Sequence, residues 1–343
     1  MTHLSRLLMS LALCLAAQSG SGAGTHRVPE SMDAAAFDQA GGPEVLTIHH
    51  LPVPVPKADE VLIEVAAAGV SVWEADMRAH LAVRSAPFIL GGEGAGTIVA
   101  LGPQVHGFKL GDAVYGVTGI GFDAQYVKVR ADRIAHVPRS LDLKQASILA
   151  ISGLSALQGI EDVLQLHAGQ TLIVHGAAGG VGTLAIQMAK HRGVRVLATA
   201  TNDEGMALAR RLGADAVVNG RSGDIVAAAK AFAPQGVDAV LGLAGGEPLE
   251  RCIDALRTGV GRVAYLYGLE SLPRPRSGMT MTLYSFTGGT AQLERLNREV
   301  LAAKIRVPVA AEYPLGEAAA AHRRLAAGHL LGKIVLIARP STP

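Results

Sequence analysis

Residues 172–190 read LIVHGAAGGVGTLAIQMAK, an apolar run that enters a glycine cluster and leaves it in a helical pattern. A G-x-G-x-x-G fingerprint needs one small residue for the turn, a second so that the backbone can approach a pyrophosphate, and a third where the helix packs on the strand. Ala177, Gly179 and Gly182 occupy these three places. Because the cluster lies between a strand and a helix pattern, we predict a dinucleotide site with the pyrophosphate at the helix N-terminus. A purely structural turn is the alternative.

The segments around this stretch alternate between strand and helix patterns. Strand-like runs begin at TLIVHG, VRVLATA, AVVN, VDAVLGLAG and GRVAYLYG. Helix patterns follow some of them, at about 181–192, 204–212 and 248–256. Since alternating strands and helices with short connections produce a parallel sheet covered on both faces, residues 153–290 are predicted to form a doubly wound Rossmann domain.

The chain before this region has a different pattern. Residues 32–152 contain the alternating run EVLIEVAAAGV and short β-like runs separated by glycines, which predict a mainly-β domain. Residues 291–343 contain a helix pattern and the strand-like run GKIVLIA, which we expect to return to the first domain. The fold class is therefore α/β with two domains, as the length of 343 residues suggests.

The first 31 residues need a separate interpretation. They begin MTHLSRLLMSLALCLAAQSGSGAG, with a short basic start, an apolar stretch and small residues. This layout is that of a secretory or organellar leader. The alternative is that residues 1–31 are an upstream extension and translation starts at Met32. We favour a cytoplasmic protein, because an exported one would meet little reduced nicotinamide cofactor. Export or organellar import follows instead if residues 1–24 act as a leader.

The composition excludes several classes of partner. The formal net charge is +2 at pH 7 and no basic block is present, so we expect no nucleic acid. The two cysteines, Cys14 and Cys252, are too few for a disulfide framework or a cysteine-rich zinc site. No apolar run reaches the roughly 20 residues that a membrane span needs, so no integral membrane span is expected.

The choice of cofactor depends on the strand that follows the glycine-rich helix. An NAD site usually places an acidic residue at the end of that strand, where it holds the ribose 2′-hydroxyl. The chain has Thr199, Ala200, Thr201 and Asn202 at this point. Asp203 and Glu204 come later, where carboxylates favour a helix N-terminus. Hydroxyl and amide groups do not repel a 2′-phosphate, so we predict NADPH in preference to NADH. Arg221 and Arg210 are candidate phosphate partners.

Several stretches between Met32 and about Ile337 form a family pattern when they are taken together. They are FDQAGGPEVL, VLIEVAAAGVS, GGEGAGTIVALG, GFKLGDAVYG, AGQTLIVHGAAGGVG, LGADAVVN and AAAAHRRLAAGHLLGKIVLI. With them the chain resembles the zinc-independent quinone oxidoreductase branch of the medium-chain dehydrogenase/reductase superfamily. The resemblance implies a GroES-like β domain joined to a Rossmann domain, and a homodimer. It also implies NADPH-dependent hydride transfer, in the cleft between domains, to a quinone or an α,β-unsaturated carbonyl compound.

The resemblance assigns expected roles to single residues. Ser71 stands where many relatives have an asparagine that lines the nicotinamide side of the cleft, and Ser155 matches a threonine beside the cofactor. Lys333 matches a common C-terminal lysine. The complete predicted cofactor-binding set is Ser155, Ala177, Ala178, Gly179, Gly180, Val181, Gly182, Thr199, Thr201, Asn202, Arg221 and Lys333.

Three glycines depart from the pattern of the family. Relatives carry a lysine at the position of Gly205 and a tyrosine at the position of Gly220, and both help to hold the 2′-phosphate. Gly242 replaces an aspartate at a strand end. We therefore expect looser cofactor binding than in those relatives. A non-catalytic NADPH-binding protein with a structural or regulatory role is the alternative to an enzyme.

The residues that bind zinc in zinc-dependent cousins are missing. AAGVSVWEAD contains no cysteine and no histidine precedes Glu93 in LGGEGAG, so we expect no catalytic zinc and interpret Glu93 as structural. The negative charge that develops on an acceptor oxygen then needs another donor. Ser71 and Tyr126 are the candidates, although packing is the favoured role of Tyr126, and water can supply the final proton. Trp73 either lines the acceptor pocket or packs in the core.

Overall fold

The first part of the chain is mostly β-structure in a computed structural model that describes residues 27–83, 85–269 and 271–338. Its strands are β1 (Ser31–Phe37), β2 (Thr47–Pro52), β3 (Glu60–Val70), β4 (Phe88–Ile89), β5 (Glu93–Leu101), β6 (Ala113–Val117), β7 (Tyr126–Arg130) and β8 (Ile134–His136). Helix α1 (Val72–His80) follows β3 after one residue. Residues 1–26 of the predicted leader lie outside the described residues.

The second part alternates strands and helices. Helices α2 (Leu143–Ser147) and α3 (Ala150–Gln158) lead into it. Its strands are β9 (Thr171–His175), β10 (Arg195–Ala200), β11 (Ala216–Asn219), β12 (Ala239–Gly242), β13 (Arg262–Leu266) and β14 (Thr280–Tyr284). Its helices are α4 (Gly180–His191), α5 (Asp203–Arg211), α6 (Ile225–Phe232) and α7 (Glu247–Asp254).

These six strands form a parallel sheet in the order β11-β10-β9-β12-β13-β14. Every residue of β9 is buried, as a central parallel strand with both faces covered requires. The chain moves outward in one direction from β9 to β11 and then crosses to β12 on the other side of β9. In doubly wound sheets, this switch point opens a crevice at the carboxyl ends of the strands, where dinucleotides bind. The predicted fold class is confirmed.

The last described segment returns to the first part of the molecule. It consists of α8 (Thr290–Ala302), β15 (Val309–Pro314), α9 (Ala318–Ala326) and β16 (Lys333–Ile337). Strand β16 pairs antiparallel with β3, with Ile334 opposite Val70. A seven-stranded sheet results, in the order β15-β16-β3-β5-β6-β8, and β7 also pairs with β3. This pairing brings Lys333 next to the end of β3, where Ser71 lies.

A shared hydrophobic core joins the two parts. Ala67 and Ala95 of the first sheet belong to the same buried cluster as Leu154 of α3 and Leu172 of β9. The Tyr115 hydroxyl crosses the same boundary and donates to Asn297 Oδ1 at 2.7 Å. The two parts of the molecule are therefore held together by elements that pack on each other. In the described part of the chain, no helix combines the length and the apolar character that crossing a membrane requires.

Candidate active site

The loop of residues 176–182, here called the pyrophosphate loop, connects β9 to α4. Gly176 has φ +83°, a conformation that side chains rarely adopt, so the turn is made there. Ala177 is fully buried, and its N–H donates to Thr199 O at 3.0 Å. A Cβ on Gly182 would lie 2.4 Å from Gly176 O, so glycine is needed where α4 packs on the loop. Ala177, to which the sequence fingerprint assigns the turn, lies within the same turn, which spans residues 176–178.

The exposed side of this loop offers only backbone to a ligand. A Cβ on Gly179 would meet a single atom within 4 Å, Gly176 O at 3.7 Å, so the space beside it is open. Gly179 is the N-cap of α4 and supplies no side-chain acceptor, and no acidic residue lies in the first turn. The first N–H groups of the helix therefore keep their capacity to bind an anion. These features fit the pyrophosphate of a dinucleotide.

The C-terminal segment lies directly against the pyrophosphate loop. The Gly332 N–H donates to Ala178 O at 2.8 Å, and Gly179 forms a parallel bridge with Gly332. Gly332 has φ +110°, and a Cβ there would lie 2.2 Å from Pro308 O. A Cβ on Gly180 would lie 2.9 Å from Ser152 Oγ and 3.6 Å from Lys333 Cβ. Half-buried Val181 follows in α4, and Ser155 is buried on α3, one turn after Ser152.

Lys333 forms a buried ion pair with Glu93. The Lys333 Nζ donates to Glu93 Oε1, and the Ile151 N–H donates to Glu93 Oε2 at 2.7 Å. Glu93 is fully buried, and Lys333 is 8% exposed. The carboxylate thus links the start of β5 to α3 and to β16. Lys333 was predicted to bind the cofactor. Its ammonium group instead pairs with Glu93, next to the pyrophosphate loop.

Ser71 lies at the end of β3, where α1 begins. Glu74 Oε2 accepts from the Ser71 N–H at 2.8 Å, and Glu74 Oε1 accepts from the Gly92 N–H at 2.6 Å. The Ser71 Oγ is buried and has no hydrogen-bond partner among the described residues. No residue of the described chain therefore uses the hydrogen-bonding capacity of this hydroxyl. Sequence analysis missed Glu74, although its spacing in SVWE is that of a capping box.

A second unpredicted carboxyl group, that of Asp123, is buried near Glu74. Asp123 is 1% exposed, and both of its carboxyl oxygens lack a partner among the described residues. Burial raises the pKa of Asp123 well above its usual range, and the charge of Glu74 adds to the rise. Burial also raises the pKa of Glu74 to about 7, although the positive charge of Lys333 opposes this. We call Ser71, Glu74 and Asp123 the acceptor-side cluster.

The site does not fit a catalytic zinc ion. A Cβ on Gly92 would lie 2.3 Å from Trp73 Cζ2, so the half-buried indole ring occupies the space that a side chain at position 92 would need. Ser71 supplies a hydroxyl where a thiolate ligand would be required. Across residues 27–83, 85–269 and 271–338, no three histidine, cysteine, aspartate or glutamate side chains are grouped as a metal site.

Tyr126 is not brought together with Ser71. Tyr126 lies opposite Glu64 on β3, and its hydroxyl donates to Glu64 Oε1 at 2.9 Å. Six residues of β3 lie between Glu64 and Ser71, which corresponds to roughly 20 Å along a strand. Tyr126 is 1% exposed and packs in a cluster with Leu62. The structure therefore places this predicted donor in the core of the β domain.

At the adenosine end, the predicted polar side chains take part in internal hydrogen bonds. Thr199 Oγ1 lies 2.7 Å from His175 Nδ1 and accepts from the Gly176 N–H at 3.4 Å. Asn202 Oδ1 caps α5 by accepting from the Gly205 N–H at 2.9 Å. Thr201 Oγ1 lies 2.9 Å from His329 Nδ1. These three residues shape the end of β10 and connect it to the C-terminal segment.

The charged residues near this end lie at the surface. Asp203 and Glu204 are exposed in the first turn of α5, where their charges favour the helix dipole. Arg210 is exposed in the last turn of α5. Arg221 is exposed after β11, and its backbone N–H donates to Asn219 Oδ1 at 2.9 Å.

Fold and site together define a class of protein. A backbone cradle lies at the switch point of a doubly wound sheet, and the pairing of β16 with β3 places a β domain next to it. This is the arrangement of the two-domain, dinucleotide-binding dehydrogenases.

Comparisons with known proteins agree with this class. The family model "Alcohol dehydrogenase GroES-like domain" matches residues 57–139, and "Zinc-binding dehydrogenase" matches residues 212–336. A probable quinone oxidoreductase of Schizosaccharomyces pombe is 30% identical over 313 residues, which cover 87% of this chain and 95% of the relative.

Solved structures show the same likeness. Escherichia coli quinone oxidoreductase complexed with NADPH has a TM-score of 0.81 and 26% identity, over 89% of this chain and 99% of that one. An NAD-dependent alcohol dehydrogenase has a TM-score of 0.83 and 30% identity, over 89% of this chain and 99% of that one. The chain belongs to the quinone oxidoreductase-like branch of the medium-chain dehydrogenase/reductase superfamily, which confirms the family predicted from its sequence.

Proposed function

We propose that the protein is an NADPH-dependent reductase that delivers hydride to a quinone or an α,β-unsaturated carbonyl compound without zinc. The proposal is supported by an uncrowded backbone cradle at Gly179 together with an unpartnered hydroxyl at Ser71, which the pairing of β16 with β3 brings to the same region of the molecule. The relative complexed with NADPH supports the choice of cofactor. The lack of zinc is supported by Ser71 and by the indole ring of Trp73 against Gly92.

Each part of the site has a distinct role in this proposal. When bound, NADPH supplies the hydride. The pyrophosphate loop and the N-terminus of α4 hold the diphosphate. The Ser71 hydroxyl donates to the acceptor oxygen, which becomes negative as hydride reaches the substrate carbon. Glu74 orients Ser71 through its backbone N–H, and the Lys333–Glu93 pair fixes β16 beside the site.

The test is a panel of quinones and 2-enones with NADPH and with NADH, in which oxidation of the cofactor is followed by its absorbance. We expect turnover with at least one acceptor. Ser71→Ala should lower kcat/KM about 10-fold or more, since it removes a hydrogen bond to a charged oxygen. The exposed Ser140→Ala should leave it unchanged. Absence of cofactor oxidation with every acceptor would refute the proposed activity.

A non-catalytic NADPH-binding protein is the second candidate. The observation that favours it is the lack of side chains at Gly205 and Gly220, the positions where relatives hold the 2′-phosphate. Calorimetry separates the two candidates, because tight binding of NADPH without turnover of any acceptor supports the binding protein.

We also propose that the protein forms a homodimer through the edge of the Rossmann sheet. Strand β14 pairs with β13 on one side only. Leu283 of β14 is 43% exposed, and Tyr267 after β13 is 78% exposed. An apolar sheet edge of this kind is suited to a second copy of the chain. Sedimentation should show a dimer that Leu283→Lys converts to a monomer, and a wild-type monomer would refute this arrangement.

For the place of action we propose the cytoplasm, where NADPH is available. Sequencing the N-terminus of the native protein tests this. A first residue near Met32 supports it, whereas cleavage near Thr25 indicates a processed leader and another compartment.

A further inference from the structure

Arg251 is a partly buried cation that lacks a counter-ion. It lies on α7, where its Nη2 donates to Gly220 O at 3.3 Å and its Nε is buried with no partner among the described residues. The neighbouring Glu250 is already paired with Arg274 and Arg276. Among the described residues, no carboxylate forms an ion pair with Arg251. Because removing a charge from water is costly unless it is paired, an anionic ligand is the partner that this guanidinium lacks.

The position of Arg251 is at the carboxyl edge of the parallel sheet. Gly220, which it contacts, follows β11, and the Gly220 N–H donates to Ala200 O at the end of β10 at 2.8 Å. The positive charge of Arg251 also lowers the pKa of His175, at the end of β9. It adds to the effect of burial, which lowers the pKa of His175 to about 4. The guanidinium therefore lies at the ends of three neighbouring strands, where the adenosine half of a dinucleotide binds in this fold.

The two glycines that replace phosphate-binding side chains differ in the space around them. A Cβ on Gly205 would lie 2.9 Å from Asn202 Oδ1, 3.0 Å from Ala200 Cβ and 3.1 Å from Ala178 Cβ. A Cβ on Gly220 would meet no atom closer than Thr199 Cβ and Oγ1, both at 3.6 Å. A side chain at position 205 would therefore be crowded, whereas the first atom of one at buried Gly220, next to Arg251, would make only ordinary van der Waals contacts.

We propose that Arg251 binds the 2′-phosphate of NADPH and sets the preference for NADPH over NADH. The inference rests on the proposed function. It assigns to Arg251, on α7, the role that relatives give to a lysine at the position of Gly205 and a tyrosine at the position of Gly220. A guanidinium group suits this task because its planar fork can donate two parallel hydrogen bonds to one phosphate group. The hydrogen bond to Gly220 O holds the guanidinium group at the carboxyl edge of the parallel sheet.

Calorimetric titration of Arg251→Gln with NADPH and NADH tests the proposal. We expect the affinity for NADPH to fall about 10- to 100-fold, as for loss of a charge-assisted hydrogen bond, and the affinity for NADH to change less than about threefold. Arg211→Gln is the matched control. It makes the same charge change at the exposed C-terminal end of α5, and it should leave the affinities for NADPH and NADH unaltered. Equal losses for the two cofactors would mean a contact with the adenine or a structural role, and would overturn the proposal, as would no loss.

Two further titrations separate this inference from the proposed function. Wild-type protein should bind 2′,5′-ADP more tightly than 5′-AMP, and Arg251→Gln should remove the difference. If the wild type binds neither NADPH nor 2′,5′-ADP, the proposed function and the inference both fail. If the wild type prefers 2′,5′-ADP and Arg251→Gln keeps that preference, the inference alone fails. Should Arg251→Gln not fold, Arg251→Lys keeps the charge without the fork, and must still weaken NADPH selectively.

Discussion

The pyrophosphate loop presents backbone atoms at its surface, whereas the acceptor-side cluster consists of buried side chains. The loop needs glycines because its backbone must be approached closely, and it contains no titratable group. The cluster contains two carboxyl groups, Glu74 and Asp123, with raised pKa values, and the Lys333–Glu93 pair lies nearby. We therefore expect the loop to be sensitive to added atoms, and the acceptor side to be sensitive to charge and pH.

The largest effect should come from breaking the ion pair beside the acceptor side. Lys333→Met leaves Glu93 buried without a counter-ion, and should lower the free energy of unfolding by about 3–5 kcal/mol. Denaturant unfolding measures this. The double variant Lys333→Met/Glu93→Gln should recover most of the loss, because no charge is then buried. Equal stability of the single and double variants would show that the pair is not what stabilises this region.

Adding one methyl group tests the loop. Gly182→Ala places a Cβ 2.4 Å from Gly176 O, and should cost about 1–3 kcal/mol of unfolding free energy through overpacking. Gly179→Ala is the matched variant, because its Cβ would meet only Gly176 O at 3.7 Å. It should fold normally but bind NADPH weakly, since the methyl group occupies the ligand side. Normal cofactor affinity in Gly179→Ala would show that the pyrophosphate lies elsewhere.

The buried carboxyl group of Asp123 should make stability depend on pH. Its pKa is raised in the folded state, so as pH rises above about 4 the unfolded chain loses this proton while the folded chain keeps it. Stability then falls with increasing pH, by at most about 1.4 kcal/mol per pH unit from this group. Asp123→Asn should remove that slope. Unfolding free energies of both proteins across neutral pH provide the measurement, and parallel profiles would contradict the assignment.

The smallest effect should come from supplying a side chain at the adenosine end. A Cβ on Gly220 would make only ordinary van der Waals contacts, so we expect Gly220→Tyr to lower the free energy of unfolding by about 1 kcal/mol or less. NADPH affinity should rise a few-fold if the tyrosine reaches the phosphate beside Arg251. Gly205→Lys is the contrast, because its Cβ is crowded by Asn202 and should destabilise α5 more. Equal tolerance at both positions would remove the distinction between the crowded and the uncrowded glycine.

The comparison also explains how much the sequence could reveal. The glycine-rich loop and α4 are local features, so the pattern of residues 172–190 located them to within about one residue. The fingerprint fixes spacing but not dihedral angles, so the positive φ of Gly176 is visible only in the structure. Helix α6 and strand β14 were not predicted, since both are short and lie between stronger signals.

The side chains of the acceptor side could not be located in this way. Lys333 and Glu93 are separated by 240 residues, and only the pairing of β16 with β3 brings them together. The sequence favours packing for Tyr126 but does not show that it pairs with Glu64 in the middle of β3, whereas Ser71 follows the end of that strand. Asp123 gave no signal, since an aspartate close to glycines normally indicates an exposed turn.

The pairing of β16 with β3 also has a consequence for biosynthesis. Residues 67–70 of β3 receive their partner on this edge from β16, the last element of the described chain. During translation, that edge and the Ser71 turn stay incomplete until β16 has emerged from the ribosome, whereas the sheet around β9 can form earlier. The nascent protein therefore has a Rossmann sheet before it has a finished acceptor side, and the open edge of β3 is a site for mispairing with another chain.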